Sequence, residues 1–201
     1  MYLNGELIKL NFKKYCEMYV NALHEENGGD EKPVITSEVI NDRWEVGFAA
    51  SSGTFQQVSF VNSIATTSGG THVNAIADQL CQQLMVYIKK QNKNGAAVKN
   101  AQIRNHFFLF VNCLIENPAF TSQTKEQLTT KVSAFGSKCP LSDGFVKNVV
   151  KNTPVIGNII DFANMKADRQ LKKTDGSRRA RYASIYTVGL LFTFEPANNN
   201  P

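Results

Sequence analysis

The chain has 201 residues, 42% of them apolar, which is enough for one large domain with a substantial core or one domain with an extension. No apolar run reaches the roughly 18 to 20 residues of a membrane helix; the longest late stretch, "YASIYTVGLLFTF" at 182–194, falls short, so a helical bilayer span is excluded. The formal charge of +5 is unevenly spread: residues 1–50 carry 5 Lys/Arg against 9 Asp/Glu, whereas residues 51–201 carry 17 against 8. Most of the excess lies in "KKQNKNGAAVKNAQIR" (89–104) and "KADRQLKKTDGSRRAR" (166–181), clusters of the kind that meet a polyanion or simply solvate a helix end and a tail.

The N-terminus shows neither a secretory nor a transit pattern, which favours cytosol or nucleus. Cys16, Cys81, Cys113 and Cys139 are spaced by 65, 32 and 26 residues, without a CxxC pair and with three histidines in the chain. That spacing argues against zinc and against a disulfide framework, and leaves four small core residues or inert thiols.

In chain order, "FKKYCEMYVNALHEE" (12–26) reads as an amphipathic helix with Tyr15, Met18, Tyr19 and Ala22 inward, ended by Gly28-Gly29. Trp44, Val46, Phe48 and Ala50 alternate with Arg43, Glu45, Gly47 and Ala49, a half-buried strand. A turn at "SSGT" and a strand at 55–62 complete an expected hairpin. Val73, Ile76, Ala77, Leu80, Leu84 and Ile88 then mark the clearest helix, entered through Gly69-Gly70, capped by Thr71 and stopped by Gly95. A short helix in "VKNAQIRNH" precedes "FFLFVNCLI" (107–115), apolar on both alternating faces and therefore suited to the centre of a sheet. Strand, long helix and strand make a β-α-β crossover. The last helix is expected to start at Thr153-Pro154, with Ile156, Ile159, Ile160, Ala163, Ala167 and Leu171 as its apolar stripe. The pattern predicts an α+β fold with a mixed sheet and a long C-terminal helix.

Three stretches carry more than packing. "RWEVGF" (43–48), "SFVNSIATTSGGTH" (59–72) and "FVNCLIENPAFTSQTKEQL" (110–128), in this order and spacing, closely resemble the transducer domain of the eukaryotic, ATP-dependent type IIA DNA topoisomerases. The resemblance covers roughly residues 1–173 and leaves 174–201 as a basic linker and a divergent, poorly ordered tail. It implies a fold like the second domain of a small-subunit ribosomal protein, with a left-handed β-α-β crossover.

By the same resemblance, Gln123, Thr124 and Lys125 are the loop that touches the γ-phosphate of Mg-ATP held in an adjoining ATPase domain. Lys89, Lys90, Gln91 and Lys93 correspond to a basic segment facing duplex DNA, with Gln91 where a third lysine is often found and Lys93 as its replacement. Gly69, Gly70, Thr71 and His72 form the structural "GGTH" motif; His72 is expected to serve in hydrogen bonding at the helix start rather than in catalysis, while His24 and His106 look incidental and Asn62 and Trp44 structural. The implied setting is a nuclear, homodimeric enzyme that passes one DNA duplex through another, with the ATPase domain before this segment and the Toprim and cleavage domains after it. Tyr182 and Tyr186 are not taken for the cleavage tyrosine. The chain is therefore expected to be a truncated fragment without ATPase or strand-passage activity of its own, the alternative being an inactive DNA-binding or partner-binding module.

Overall fold

Seven residues of β7 (Phe107–Cys113), buried on both faces apart from Asn112, form the axis around which the rest is arranged. The computed structural model describes the backbone of residues 2–7, 10–27, 33–93 and 95–190, and the side chains of 4–7, 10–25, 33–93 and 95–173. A run of aromatic and β-branched residues can satisfy its backbone only with a strand on either side, and β7 has both. It pairs antiparallel with β4 (Trp44–Ala50), from Trp44↔Cys113 to Ala50↔Phe107, and parallel with β5 (Gln56–Val61), from Gln56↔Phe108 to Val61↔Cys113. With β3 (Thr36–Asn41) beyond β4 and the two-residue β6 (Ile64–Ala65) beyond β5, the sheet order is β3-β4-β7-β5-β6. A separate two-stranded ribbon, β1 (Tyr2–Leu3) with β2 (Glu6–Leu7), precedes the first helix.

The mixed sheet, the central position of β7 and the β-α-β unit from β5 through α2 (Thr71–Gln91) and α3 (Asn100–Arg104) to β7 agree with the sequence reading. The expected hairpin between 43–50 and 55–62 does not form. Its two strands are antiparallel but lie on opposite sides of β7, and the link between them passes the start of β7, where the Ser51 N–H donates to the His106 carbonyl at 2.9 Å. The true hairpin partner of β4 is β3, joined through Asp42-Arg43.

Alternation along the strands splits the core in two. Trp44, Val46, Phe48, Phe107, Leu109, Val111 and Cys113 meet α2, whose Val73, Ile76, Ala77, Leu80, Leu84 and Ile88 are all buried as the spacing predicts. On the other face Ala49, Phe108 and Phe110 receive Cys16 and Val20 of α1 (Phe12–Asn27). Gly47 lets that helix close, since a Cβ there would stand 3.2 Å from Phe110 Cβ and 3.4 Å from Cys16 Sγ. β4 is consequently covered on both faces rather than half-buried. The buried face of α1 is Phe12, Cys16, Val20 and Leu23; of the expected set, Tyr15 and Tyr19 reach the sheet from its border, their rings against Phe60, Phe108 and Phe110, whereas Met18 and Ala22 face outward. The Gly28-Gly29 stop lies outside the described residues.

Two boundaries move for the same kind of reason. α2 ends at Gln91 with Asn92 as its C-cap, ahead of Gly95. Helix α4 (Asp143–Asn152), not foreseen, is capped by Ser142, whose Oγ accepts from the Phe145 N–H at 2.9 Å. Thr153 is therefore not the cap of the last helix: its hydroxyl donates back to the Val149 carbonyl at 2.7 Å and closes α4, and α5 runs from Val155 to Leu190. Val155, Ile156, Ile159 and Ala163 are buried, but Leu171 is 63% exposed, so the apolar stripe of α5 leaves the core before its basic half begins. The helix backbone extends into the stretch expected to be linker and tail, and residues 191–201 lie outside the described residues. Among the described residues no helix is long and apolar enough to cross a membrane.

Candidate functional site

The "GGTH" motif singled out from the sequence is stitched to the stretch that directly follows "SQTK". Gly69 and Gly70 turn the chain from β6 into α2 with φ of 70° and 141°. Only glycine tolerates the second value, because a Cβ on Gly70 would stand 2.6 Å from the Leu128 backbone nitrogen. Into that space fits the strand-like stretch 126–130. The Ser68 N–H donates to the Glu126 carbonyl (3.0 Å), the Leu128 N–H to the Gly69 carbonyl (3.0 Å) and the Thr71 N–H to the Leu128 carbonyl (3.2 Å). Thr71 Oγ1 then donates to the Thr130 carbonyl at 2.7 Å. This last bond corrects the reading of Thr71 as a helix cap: it is the first helical residue, Gly70 holds the cap position without a side chain, and the hydroxyl is used across the structure.

Above this seam the loop is a tight turn. The Lys125 N–H donates to the Ser122 carbonyl at 3.1 Å, the hydroxyls of Ser122 and Thr124 lie 2.6 Å apart, and Phe120 bridges antiparallel to Leu128. Lys125 itself has φ of 57°, a left-handed conformation that costs a non-glycine residue on the order of 1 kcal/mol. Gln123 and Thr124 are exposed, and Lys125 is half-buried without an ion pair among the described residues. The loop thus offers an ammonium and a pair of hydroxyls on a strained turn whose base is fixed to a buried helix. Such a group fits one end of a phosphate.

His72 sits below the seam, fully buried, with Nε2 3.2 Å from Thr66 Oγ1 and Nδ1 without a partner among the described residues. Thr66 is held in turn by Ser59, the two hydroxyls lying 2.5 Å apart. Burial lowers the His72 pKa to about 4, so the ring is neutral at physiological pH and far from solvent. The ring faces a buried threonine hydroxyl rather than solvent. His106 is also buried, its ring edge-on to Phe162 with centroids 5.5 Å apart, and so is less incidental than its sequence suggests.

Asn62 contributes more than a polar strand end. Its backbone is left-handed (φ 50°), Nδ2 donates to the Ile115 carbonyl at 3.0 Å, and Oδ1 accepts from the Ile115 N–H at 2.9 Å. This amide ties the "FVNSI" motif to the end of β7, from which the 120–128 loop departs. The sequence signal was an asparagine followed by serine between two strands, a turn signature.

The basic segment is a different place. Lys89 and Lys90 occupy the last turn of α2, where cations favour the helix dipole, and Gln91 and Lys93 follow. All four are exposed, and no acid pairs with the three lysines among the described residues; Lys90 Nζ lies 6.0 Å from the Tyr87 ring centroid. The 21 residues of α2, about 30 Å at the usual rise, separate this segment from the seam at its N-terminus. The structure therefore does not bring the two expected sites together; it places them at opposite ends of one helix. Among the described residues no group of three or more His, Cys, Asp or Glu side chains could hold a metal ion.

Comparison with known proteins decides the relationship. Residues 11–178 match the family described as DNA gyrase B. The chain belongs to that family. It is 62% identical over 184 residues to DNA topoisomerase 2 of Penicillium chrysogenum, covering 89% of this chain and 12% of that protein. The solved ATPase region of Saccharomyces cerevisiae topoisomerase II superposes with a TM-score of 0.68 at 50% identity, over 81% of this chain and 39% of that one. The ATPase and transducer domains of DNA topoisomerase II from Balamuthia mandrillaris give a TM-score of 0.70 at 43% identity, over 83% and 40%. This gyrase-B-family chain thus spans about an eighth of the length of its curated relatives, and its mixed α/β fold matches part of the topoisomerase II ATPase region.

Proposed function

We propose that the chain is the transducer part of an ATP-dependent type II DNA topoisomerase, with the fold of the second domain of a small-subunit ribosomal protein. The relatives named DNA topoisomerase 2 support this, as does the match to 40% of a structure that contains both ATPase and transducer domains. The observation that carries the mechanistic reading is the seam between Gly69–Thr71 and Leu128–Thr130, which anchors a strained lysine turn to the start of α2.

In this reading Gln123, Thr124 and Lys125 present hydrogen-bond donors and a positive charge to the terminal phosphate of a nucleotide held by the adjoining domain. A charge-assisted bond from Lys125 stabilises negative charge as that phosphate leaves, and is lost with it. Because the turn is fixed to α2 through backbone bonds, a shift at Lys125 reaches the helix without a flexible intermediary. ATP, with Mg²⁺, is bound mainly by the neighbouring domain. At the other end of α2, Lys89, Lys90 and Lys93, with Gln91 beside them, face duplex DNA through sequence-independent phosphate contacts, as strand passage through any sequence requires. The whole enzyme is a homodimer acting in the nucleus, and this segment alone neither hydrolyses ATP nor relaxes DNA.

Lys125→Ala in a full-length enzyme carrying this segment should depress ATP turnover while leaving the melting temperature unchanged; wild-type turnover would remove the sensor role. For the DNA-facing role, affinity of the 201-residue chain for duplex DNA should fall with salt, and Lys89→Glu with Lys90→Glu should flatten that dependence. A wild-type slope in the double variant would place the DNA contact elsewhere.

A further inference from the structure

A cavity of about 500 Å³ opens between α2 and the segment 132–140, one helical turn beyond the seam at Thr71 and Thr130 and outside the 122–125 turn. Its floor is apolar: Trp44, Ile76 and Phe135 are all nearly or fully buried, and the Trp44 and Phe135 rings lie 5.7 Å apart at 42°. Its polar groups are few and fixed. Trp44 Nε1 donates to Ser137 Oγ at 2.8 Å, while the Gln79 side chain donates to the Cys139 carbonyl and accepts from the Leu141 N–H. Lys138 stands on the lining without an ion pair among the described residues. Glu38, whose charge acts on Cys139, is not part of the lining, and both its oxygens accept from Ser142 Oγ.

A volume in the range of small-molecule sites, an apolar floor and a lysine without an ion pair among the described residues define a ligand class. We propose that this cavity is a binding site for a flat aromatic molecule bearing one anionic group, its ring on the apolar floor above Trp44, Ile76 and Phe135 and its charge toward Lys138. The apolar lining supplies area to bury, and the ammonium selects an anion over a neutral or cationic analogue. Cys139 is not a reactive partner in this arrangement, because burial holds its thiol up at about 12.

Trp44 is the only tryptophan of the chain, so occupancy is directly readable. The probe is anilinonaphthalene sulfonate, an aromatic sulfonate that accepts energy from indole. Titrated into the 201-residue chain, it should quench Trp44 emission saturably with one site, while the near-ultraviolet circular dichroism stays native and rules out adsorption to a loosened core. Lys138→Glu, on an exposed side chain, should weaken binding several-fold. Ala75→Phe, which fills the cavity from α2, should abolish the saturable component. Non-saturating quenching of the wild-type chain, or unchanged affinity in Lys138→Glu, would overturn the proposal. Should Ala75→Phe fail to fold, the Lys138→Glu comparison alone decides.

Discussion

Gly70 and Leu128 share a space that admits no side chain on the first: a Cβ at Gly70 would stand 2.6 Å from the Leu128 nitrogen and 2.9 Å from its Cα. Both obstacles are backbone, which cannot swing aside as a side-chain end could. Gly70→Ala must therefore part the seam or strain the turn, and is expected to cost more than about 2 kcal/mol on urea unfolding. Gly69→Ala is the control. Its φ of 70° carries a conformational penalty, but its nearest neighbours, Gln57 side-chain atoms, stand off at 3.5 Å, so about 1 kcal/mol is expected. Equal losses in the two variants would show that close approach to Leu128 is not what selects Gly70.

Lys125→Gly separates the backbone of the turn from its charge. Glycine adopts a φ of 57° without penalty, so the turn itself should be favoured by on the order of 1 kcal/mol, offset in part by the greater freedom of the unfolded chain. The melting temperature should be unchanged or slightly raised. A marked loss would mean that the lysine side chain packs into the fold rather than standing ready for a ligand.

His72 sets an acid limit on stability. Its folded-state pKa of about 4 lies below the unfolded value of 6.5, because burial disfavours the charged ring. For a base so depressed, the unfolded chain binds the extra proton between those values. Stability is then fully present above pH 6.5 and is lost as the pH falls toward 4, by up to about 3 kcal/mol. His106, also lowered by burial, acts in the same direction. Unfolding followed by urea from pH 7.5 to 4 should show the decline, and His72→Gln should be less steep while starting from lower stability. An equally steep profile in that variant would assign the acid sensitivity to other groups.

Asn62→Ala removes both bonds to the Ile115 backbone and places alanine at a φ of 50°. Two lost hydrogen bonds and the left-handed strain together predict a loss of about 2 to 4 kcal/mol. Asn62→Gly, which relieves only the strain, should recover part of that. Thermal unfolding of the three proteins is the measurement, and a glycine variant no better than alanine would show that strain is not the difference.

The sequence was most informative where one pattern had one solution. The helical spacing of Val73 to Ile88 and the two-sided apolarity of 107–113 led directly to α2 and the central strand. It misled where two patterns fitted equally, as on α1, or where the deciding partner was distant in the chain. Thr71 and Thr153 both read as caps of the helices that follow them, yet one hydroxyl bonds Thr130 and the other bonds back to Val149. Ser142, before Phe145, Val146 and Val149, carried a start signal for α4 that could have been read.

The residues of the "GGTH" and "SQTK" motifs, and their order, belong to the sequence alone: two glycines before a helix, and a lysine in a polar turn after an apolar strand. That the turn at "GGTH" meets the residues just after "SQTK", through bonds between positions nearly sixty apart, was decided by the tertiary structure. A β-α-β crossover returns β7 beside β5, and only that return brings the segment leaving β7 against the turn that opens α2. Local preference could specify each turn, but not their contact, because the free energy of the seam depends on a sheet that neither turn contains.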